Sequence, residues 1–278
     1  GGGEGEGCRI VIEGGPGVGR VTKPGLAVPV GEWAINPVPR KMITEAVNDV
    51  FASDCPLSTV RCPLVLISIP NGEELAKKTL NARLGIIGGL SILGTTGIVK
   101  PISAQAWTDT IEAAIDVALA CGCSTLVLST GRTSEQAAQR FFDYPEEAYI
   151  MMGDHVGFAV QACARKGVKS LVLAGQFAKL LKIACEHEQT HVSSSRLDLR
   201  TLADWLKTSP HVSHLTSYVL QAGTAREILE ASGKDPELIS LVCVRAAVFA
   251  GRLAPGLSVK VFLAGYGGEV LYYGPNSR

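Results

Sequence analysis

Thr125-Leu-Val-Leu-Ser129, Ala148-Tyr-Ile-Met-Met-Gly153 and Ser170-Leu-Val-Leu-Ala174 are three short apolar runs whose spacing decides the fold. Helical patterns separate them. Thr133 with Gln136 three residues later reads as a capping box that opens one helix, and Val156–Lys166 and Phe177–Cys185 give two more. Short buried strands alternating with helices of about 10–15 residues predict βαβ units and a parallel sheet. Before them, Trp107, Ile111, Ala114, Ile115, Ala118 and Leu119 line one face of a helix. After them, Arg196–Leu253 is mostly helical, with starts at Thr224 and at Asp235-Pro236. Val259–Tyr266 and Glu269–Tyr273, joined by Gly267-Gly268, read as a closing hairpin.

The first hundred residues read differently. Gly1–Pro39 is turn-rich, with one short strand at Arg9–Glu13, and Pro24, Pro29, Pro37 and Pro39 exclude long helices there. A helix is expected over Lys41–Phe51, where the prolines stop, followed by a buried strand over Leu64–Ile69. The expected fold class is α/β: a Rossmann-like parallel sheet region over 101–278, with its helical segment and closing hairpin, plus a smaller N-terminal mixed α/β domain over 1–100. No internal repeat is visible.

Composition bounds the function. The 278 residues carry 26 Lys+Arg against 26 Asp+Glu, and 46% are apolar. Disorder and fibrous folds are excluded, and so is a general nucleic-acid binder, which needs excess basic charge to displace counterions. The most apolar stretch, Leu241–Ala254, is interrupted by Arg245 and Arg252 and falls short of the ~18–20 residues of a membrane helix. A soluble, cytoplasmic protein with no membrane partner is expected. The eight scattered cysteines read as thiols in a reducing compartment, and Cys121-Gly-Cys123 lacks the second pair a zinc site needs. Glycine is in excess, 31 residues with eleven in the first 31 positions. There is no initiator Met or signal peptide, and Gly1 reads as a cut end.

His187-Glu188-Gln-Thr-His191 matches H-E-x-x-H, which on a helix places two histidines on one face for zinc and supplies a glutamate base. The Val192-Ser-Ser-Ser195 run argues that no helix continues through it, and only Glu227 or Glu230 could serve as a third ligand. Gly15-Pro-Gly17-Val-Gly19 resembles a dinucleotide loop, but Val21-Thr-Lys-Pro24 cannot open a helix, so a tight turn is the better reading. Gly89–Thr96 has P-loop spacing with Thr95 where the phosphate lysine belongs. Its glycines and threonines could still approach a polar ligand, or form only a packing turn. Ser129-Thr130-Gly131-Arg132 ends a strand where ligands bind open parallel sheets. Asp154 follows Gly131 by 23 residues, close to the offset of about 20 for a ribose-binding acid. An N-cap of the Val156 helix is the equal alternative for Asp154.

Gly17-Val-Gly19-Arg-Val-Thr-Lys23-Pro-Gly-Leu26, Ala34-Ile-Asn36-Pro-Val-Pro39-Arg40 and Asn81-Ala-Arg83-Leu-Gly-Ile-Ile-Gly-Gly-Leu-Ser-Ile-Leu-Gly94-Thr-Thr-Gly97 are long, unusual strings. With Pro29-Val-Gly31-Glu, Gly153-Asp154, Gly175-Gln-Phe-Ala-Lys179-Leu and Thr190-His191, they resemble the cobalt-precorrin-5B C1-methyltransferases, the CbiD family of anaerobic cobalamin biosynthesis. The family has Ile in place of Leu90 and Ser in place of Val192, and begins with a Thr/Gly-rich, then Ala-rich segment that this chain lacks. This chain is therefore expected to be most of a longer enzyme.

The resemblance implies methyl transfer from S-adenosylmethionine to C-1 of cobalt-precorrin-5B, giving cobalt-precorrin-6A. Cobalt enters only as part of the substrate, and the protein holds no metal of its own. The expected cofactor contacts are Gly94, Thr95, Thr96 and Gly97, with Thr130, Gly131 and Asp154 from their strand-end positions. Thr190 and His191 form the catalytic edge, with His191 as candidate proton acceptor. The substrate's carboxylates call for basic partners, drawn from Lys23, Arg40, Arg83, Arg132 and Lys179. The oligomeric state stays open. The alternatives are a zinc hydrolase using His187, Glu188 and His191, and an inactive fragment that binds corrinoid or cofactor.

Overall fold

A computed structural model describes residues 10–54, 63–93 and 104–275. The chain divides into two compact units, Gly1–Ser103 and Ala104–Arg278.

Close backbone contact organises the first unit. It contains β1 (Val11–Gly14), β2 (Gly17–Val18), β3 (Arg20–Val21), α1 (Pro37–Asp54), β4 (Leu64–Ile67), α2 (Gly72–Ala76), β5 (Ile86–Ile87) and β6 (Gly89–Leu90). Three two-stranded ladders form: β1 with β4 and β2 with β6 are parallel, and β3 with β5 is antiparallel. Gly17, at φ 83°, pairs with Gly89 and lies against Gly72. A β-carbon on any of the three would fall within 2.1–2.3 Å of a backbone oxygen. The Val18 N–H donates to the Gly15 carbonyl at 3.1 Å, so Gly15-Pro16-Gly17 is the tight turn, and a strand follows it.

Two expectations change here. Helix α1 starts at Pro37, inside the proline-rich stretch, because first-turn N–H groups have no intrahelical acceptor and proline lacks only such a group. The run at Leu64–Ile69 forms a strand only to Ile67, and it is not buried. Leu64 and Leu66 are 64% and 59% exposed, while Val65 and Ile67 pack beside Ile12, Val18 and Ile35.

Apolar alternation organises the second unit. Its elements are α3 (Ala104–Ala120), β7 (Thr125–Ser129), α4 (Arg132–Phe141), β8 (Tyr149–Met151), α5 (Val156–Arg165), β9 (Ser170–Gly175), α6 (Phe177–Ala184), α7 (Leu199–Lys207), α8 (Thr216–Gln221), α9 (Ala225–Ala231), α10 (Pro236–Leu253), β10 (Ser258–Ala264) and β11 (Val270–Pro275). One mixed sheet runs in the order β11-β10-β9-β7-β8; all neighbours are parallel except β10 with β11. The predicted hairpin thus closes the sheet, its first strand serving as a fourth parallel strand that the sequence reading took only for half of a hairpin.

Successive side chains leave opposite faces of a strand. Leu126, Leu128, Leu171, Leu173, Val259, Val261 and Leu263 accordingly enter the core shared with α3, α5, α6 and α10. Val127, Val172, Ala174, Phe262 and Ala264 meet Ala137 and Ala138 of α4 on the other face. Each such fully buried aliphatic side chain contributes about 1.5–3 kcal/mol.

Helix starts were predicted unevenly. Thr224 accepts the Glu227 N–H, and Asp235 accepts those of Glu237 and Leu238 behind Pro236 at the first helical position, as expected. Asp198 caps α7 in the same way. The capping box at Thr133 and Gln136 does not form. Helix α4 starts two residues earlier, at Arg132 with Gly131 as its cap, and the Gly131 carbonyl accepts both the Glu135 N–H and the Ser134 hydroxyl. Among the described residues, no helix is long and apolar enough to cross a membrane.

Candidate active site

Strands β7, β8 and β9 end side by side and release three turns at one edge of the sheet. The first carries Thr130 and Gly131, the second Gly153 and Asp154, the third Gln176. Hydrogen bonds fix their relative placement: Thr130 N–H donates to Ala174 O at 3.0 Å, and Met152 and Gly153 N–H both donate to Ser129 O. Gly153 turns the chain at φ 60° beneath the indole of Trp107, whose Nε1–H donates to Met152 O at 3.1 Å. The Ser129 hydroxyl, fully buried on the α4 face of β7, has no hydrogen-bond partner among the described residues.

Helices α4, α5 and α6 all begin at this edge, and none has a side-chain cap; their N-cap residues are Gly131, His155 and Gln176. In the same unit α7, α9 and α10 are capped by Asp198, Thr224 and Asp235. An uncapped start leaves first-turn N–H groups and the positive end of the helix dipole available to an acceptor. Gly131 is extended, and a β-carbon there meets nothing within 4 Å. At Gly131, therefore, the first turn of α4 faces open space, whereas in α5 the Gly157 N–H is already taken by the Glu188 carbonyl.

Beside it lies a polar network. Asp154 Oδ1 accepts the Thr190 hydroxyl at 2.6 Å and an ion-paired hydrogen bond from Lys179. Thr190 is completely buried. Its N–H donates to Asp154 O, and its carbonyl accepts from Lys182 Nζ at 2.9 Å and Lys179 Nζ at 3.2 Å. Burial alone would push the Asp154 carboxyl up. Hydrogen bonds from Lys179 and Thr190, with the charges of Lys179 and His191, outweigh it and hold the carboxyl below its ordinary range. The cap of α5 is His155, so the alternative reading of Asp154 as that cap does not hold.

His191 projects from this anchored backbone and is exposed. Its Nδ1 faces Ser193, taking the Ser193 N–H at 3.3 Å and lying 2.8 Å from the Ser193 hydroxyl. With Nδ1 accepting, the proton of the neutral ring sits on Nε2. The His187–His191 stretch is not helical: α6 ends at Ala184, Glu186 takes φ 67°, and the Glu188 carbonyl accepts the Gly157 N–H. The helical presentation that H-E-x-x-H requires is therefore missing, and the Glu188 carboxylate accepts from Gln161 at 3.4 Å. Among the described residues no three His, Cys, Asp or Glu side chains cluster as metal ligands.

The basic residues separate by environment. Arg132 is exposed at the first position of α4. Lys179 is engaged with Asp154. In the first unit Arg40 donates to the carbonyls of Ile35, Ile12 and Trp33 and lies 3.9 Å from Glu32, while Lys23 donates to the Arg83 carbonyl at 3.3 Å. Gly94, Thr95, Thr96 and Gly97 lie outside the described residues. Sequence reasoning brought Asp154, Lys179 and Thr190 forward separately, and the structure joins them. It missed Trp107 and Lys182 as site residues; for Lys182 the available signal was a lysine flanked by Leu180, Leu181 and Ile183 in an apolar helix.

Comparison with known proteins adds to this geometry. Residues 3–101 match the CbiD family model. The chain is 66% identical over 269 residues to the cobalt-precorrin-5B C(1)-methyltransferase of Geotalea daltonii, covering 95% of this chain and 74% of that protein. The protein of the same name from Geobacter sulfurreducens is 67% identical over 268 residues, with 95% and 73% covered. That from Desulfotalea psychrophila is 45% identical, with 95% and 72% covered. A crystal structure titled cobalamin biosynthesis protein (cbiD) from Archaeoglobus fulgidus matches with 28% identity and a TM-score of 0.27, covering 65% of this chain and 55% of that one.

Proposed function

The chain belongs to the CbiD family, and from that premise we propose that it transfers a methyl group from S-adenosylmethionine to C-1 of cobalt-precorrin-5B. The observation that carries the placement of the chemistry is the edge where α4, α5 and α6 start uncapped around Gly131. The 104–278 unit is read as Rossmann-like. In chain order its strands β7, β8, β9 and β10 lie as 2-1-3-4, which puts the switch point between β7 and β9. Ligands of open α/β sheets bind at that point, outside the carboxyl ends of the strands.

The donor is assigned to Thr130, Gly131 and Asp154. Asp154 takes both of its protein donors on Oδ1, so Oδ2 is the oxygen offered to a ribose hydroxyl. Arg132, exposed beside Gly131, is assigned to a substrate carboxylate. Lys179 reaches one only by sharing its ammonium with Asp154. Arg40 is reassigned to holding its own unit, since backbone carbonyls take its donors, and Lys23 and Arg83 remain candidates for substrate acids.

The chemistry asks for alignment more than for strong acids or bases. The carbon–sulfur bond of the sulfonium breaks with its electron pair staying on sulfur, giving S-adenosylhomocysteine. A π pair of the macrocycle forms the new carbon–carbon bond, and one proton leaves the ring system. Holding donor and acceptor in line accounts for most of the acceleration such a step needs. His191 lines the corrinoid edge and offers Nε2–H as a hydrogen-bond donor; accepting the released proton requires Nδ1 to leave Ser193. The free thiols Cys163 and Cys243, buried and pushed up by desolvation, suit a cytoplasmic protein.

Incubation of the purified protein with S-adenosylmethionine and cobalt-precorrin-5B tests this directly. One added methyl group per tetrapyrrole and one S-adenosylhomocysteine per turnover are expected. Unchanged substrate mass with the protein folded would refute the assignment.

A further inference from the structure

We propose that Lys182 is a positioning residue for this reaction: its buried ammonium holds the Thr190 carbonyl and so fixes the backbone from which His191 projects. The role for His191 rests on the function proposed above; the anchoring does not. Lys182 sits on α6 at 7% exposure, between the fully buried Leu181 and Ile183. Its Nζ donates to Thr190 O at 2.9 Å, and among the described residues no carboxylate forms a hydrogen bond with it. Asp154, whose charge acts on Lys182, is already bonded to Lys179 and Thr190.

A buried ammonium without an ion-pair partner opposes folding, because desolvation of the charge is not repaid. An apolar side chain of equal length would fill the same space without that penalty. Packing therefore does not account for a lysine here, whereas the location of its one acceptor does. Thr190 is the residue before His191, and the segment from Glu186 to Asp198 has no helix or strand to hold it. Its fixation comes from side chains and turns: Asp154 takes the Thr190 N–H and hydroxyl, Lys182 takes the carbonyl, and Ser194 and Ser195 N–H return to the His191 carbonyl. Lys179 also reaches the Thr190 carbonyl, at 3.2 Å, but is divided between it and Asp154. Lys182 is the donor committed to that carbonyl alone. Burial and the Lys179 charge push its ammonium down, opposed by Asp154, consistent with a cation kept in place against its solvation.

The test compares Lys182→Met and Lys182→Arg in the whole chain. Methionine keeps the length and apolar stem, and the Thr190 carbonyl retains Lys179, so Lys182→Met is expected to melt at the same temperature as wild type or higher. Its kcat should fall at least about tenfold with KM for S-adenosylmethionine within about twofold, the pattern of a misplaced reacting edge, and arginine should restore part of the loss. Amide exchange at Thr190, Ser194 and Ser195 should speed up in Lys182→Met whether or not turnover is measurable. This separates failure of the inference from failure of the proposed activity, which wild-type turnover alone decides. Unchanged exchange at those amides, or a kcat within twofold of wild type, overturns the role. A kcat loss that merely follows a lower melting temperature and is not relieved by arginine overturns it equally.

Discussion

A β-carbon placed at Gly17, Gly72 or Gly89 would fall within 2.1–2.3 Å of a backbone oxygen, whereas one placed at Gly131 meets nothing within 4 Å. The same residue type does opposite work in the two units. In the 1–103 unit glycine lets backbones touch, and Gly17 also needs its left-handed φ of 83°. At the carboxyl edge of the 104–278 sheet, glycine keeps space open in front of an uncapped helix. The first use belongs to stability, the second, on the proposed function, to a ligand, and substitutions should separate them.

The largest effect is expected at Gly17→Ala. Contact with the Ile69 carbonyl and the positive φ together should cost on the order of 3–5 kcal/mol, read as a fall in the urea midpoint of the whole chain. Next comes Leu173→Ala in the second unit, where neighbours rather than backbone fill the space. About 3 kcal/mol is expected from the lost burial and residual cavity. A third change, Thr190→Val, removes a hydroxyl bonded to a carboxylate while keeping the volume. It should cost about 1–3 kcal/mol and lower kcat together. At the smallest end, Gly131→Ala, which meets no neighbour but replaces glycine at an N-cap, should cost only about 0.5–1 kcal/mol while weakening S-adenosylmethionine binding severalfold, measured by calorimetry. Equal stability losses at Gly17 and Gly131 would erase the distinction.

Asp154 adds a pH signature. Its carboxyl is held down in the folded protein, so the unfolded chain binds the proton more readily. The stabilisation is then complete above the unfolded-state value near ~3.9 and is lost as the pH falls through the lower folded-state value. The difference in urea midpoint between wild type and Asp154→Asn should be greatest at neutral pH and shrink below about pH 4. At neutral pH the same variant should bind the donor more weakly.

The second unit was legible in the sequence because apolar period reports burial directly. Thr125–Ser129 is a strand as read, and Ser170–Ala174, Val156–Lys166 and Phe177–Cys185 shift by a residue at most. Thr224 and Asp235 marked helix starts through side chains that reach a local N–H. The first unit was not legible in the same way. Its glycine excess was visible, but which glycines touch is a relation between positions far apart, Gly17 with Gly72 and Gly89, and no local pattern encodes it. Exposure of Leu64 and Leu66 was hidden for a related reason: a four-residue apolar run does not say whether one face or both will be covered. At the site, strand-end position found Thr130 and Asp154, and family strings found Lys179, Thr190 and His191. The contact among Asp154, Lys179 and Thr190 emerged only in three dimensions, as did Lys182, whose charge looks solvated until α6 is seen to bury it.

The methyl donor is proposed to occupy the carboxyl edge of the 104–278 sheet. Amide hydrogen exchange with and without S-adenosylmethionine tests it most directly, because first-turn N–H groups of uncapped helices exchange freely until an acceptor arrives. Donor-dependent protection is predicted at Gly131–Ser134, at the start of α4, and absent from the capped starts of α7, α9 and α10. Saturating donor that protects other segments and leaves Gly131–Ser134 unchanged would contradict it.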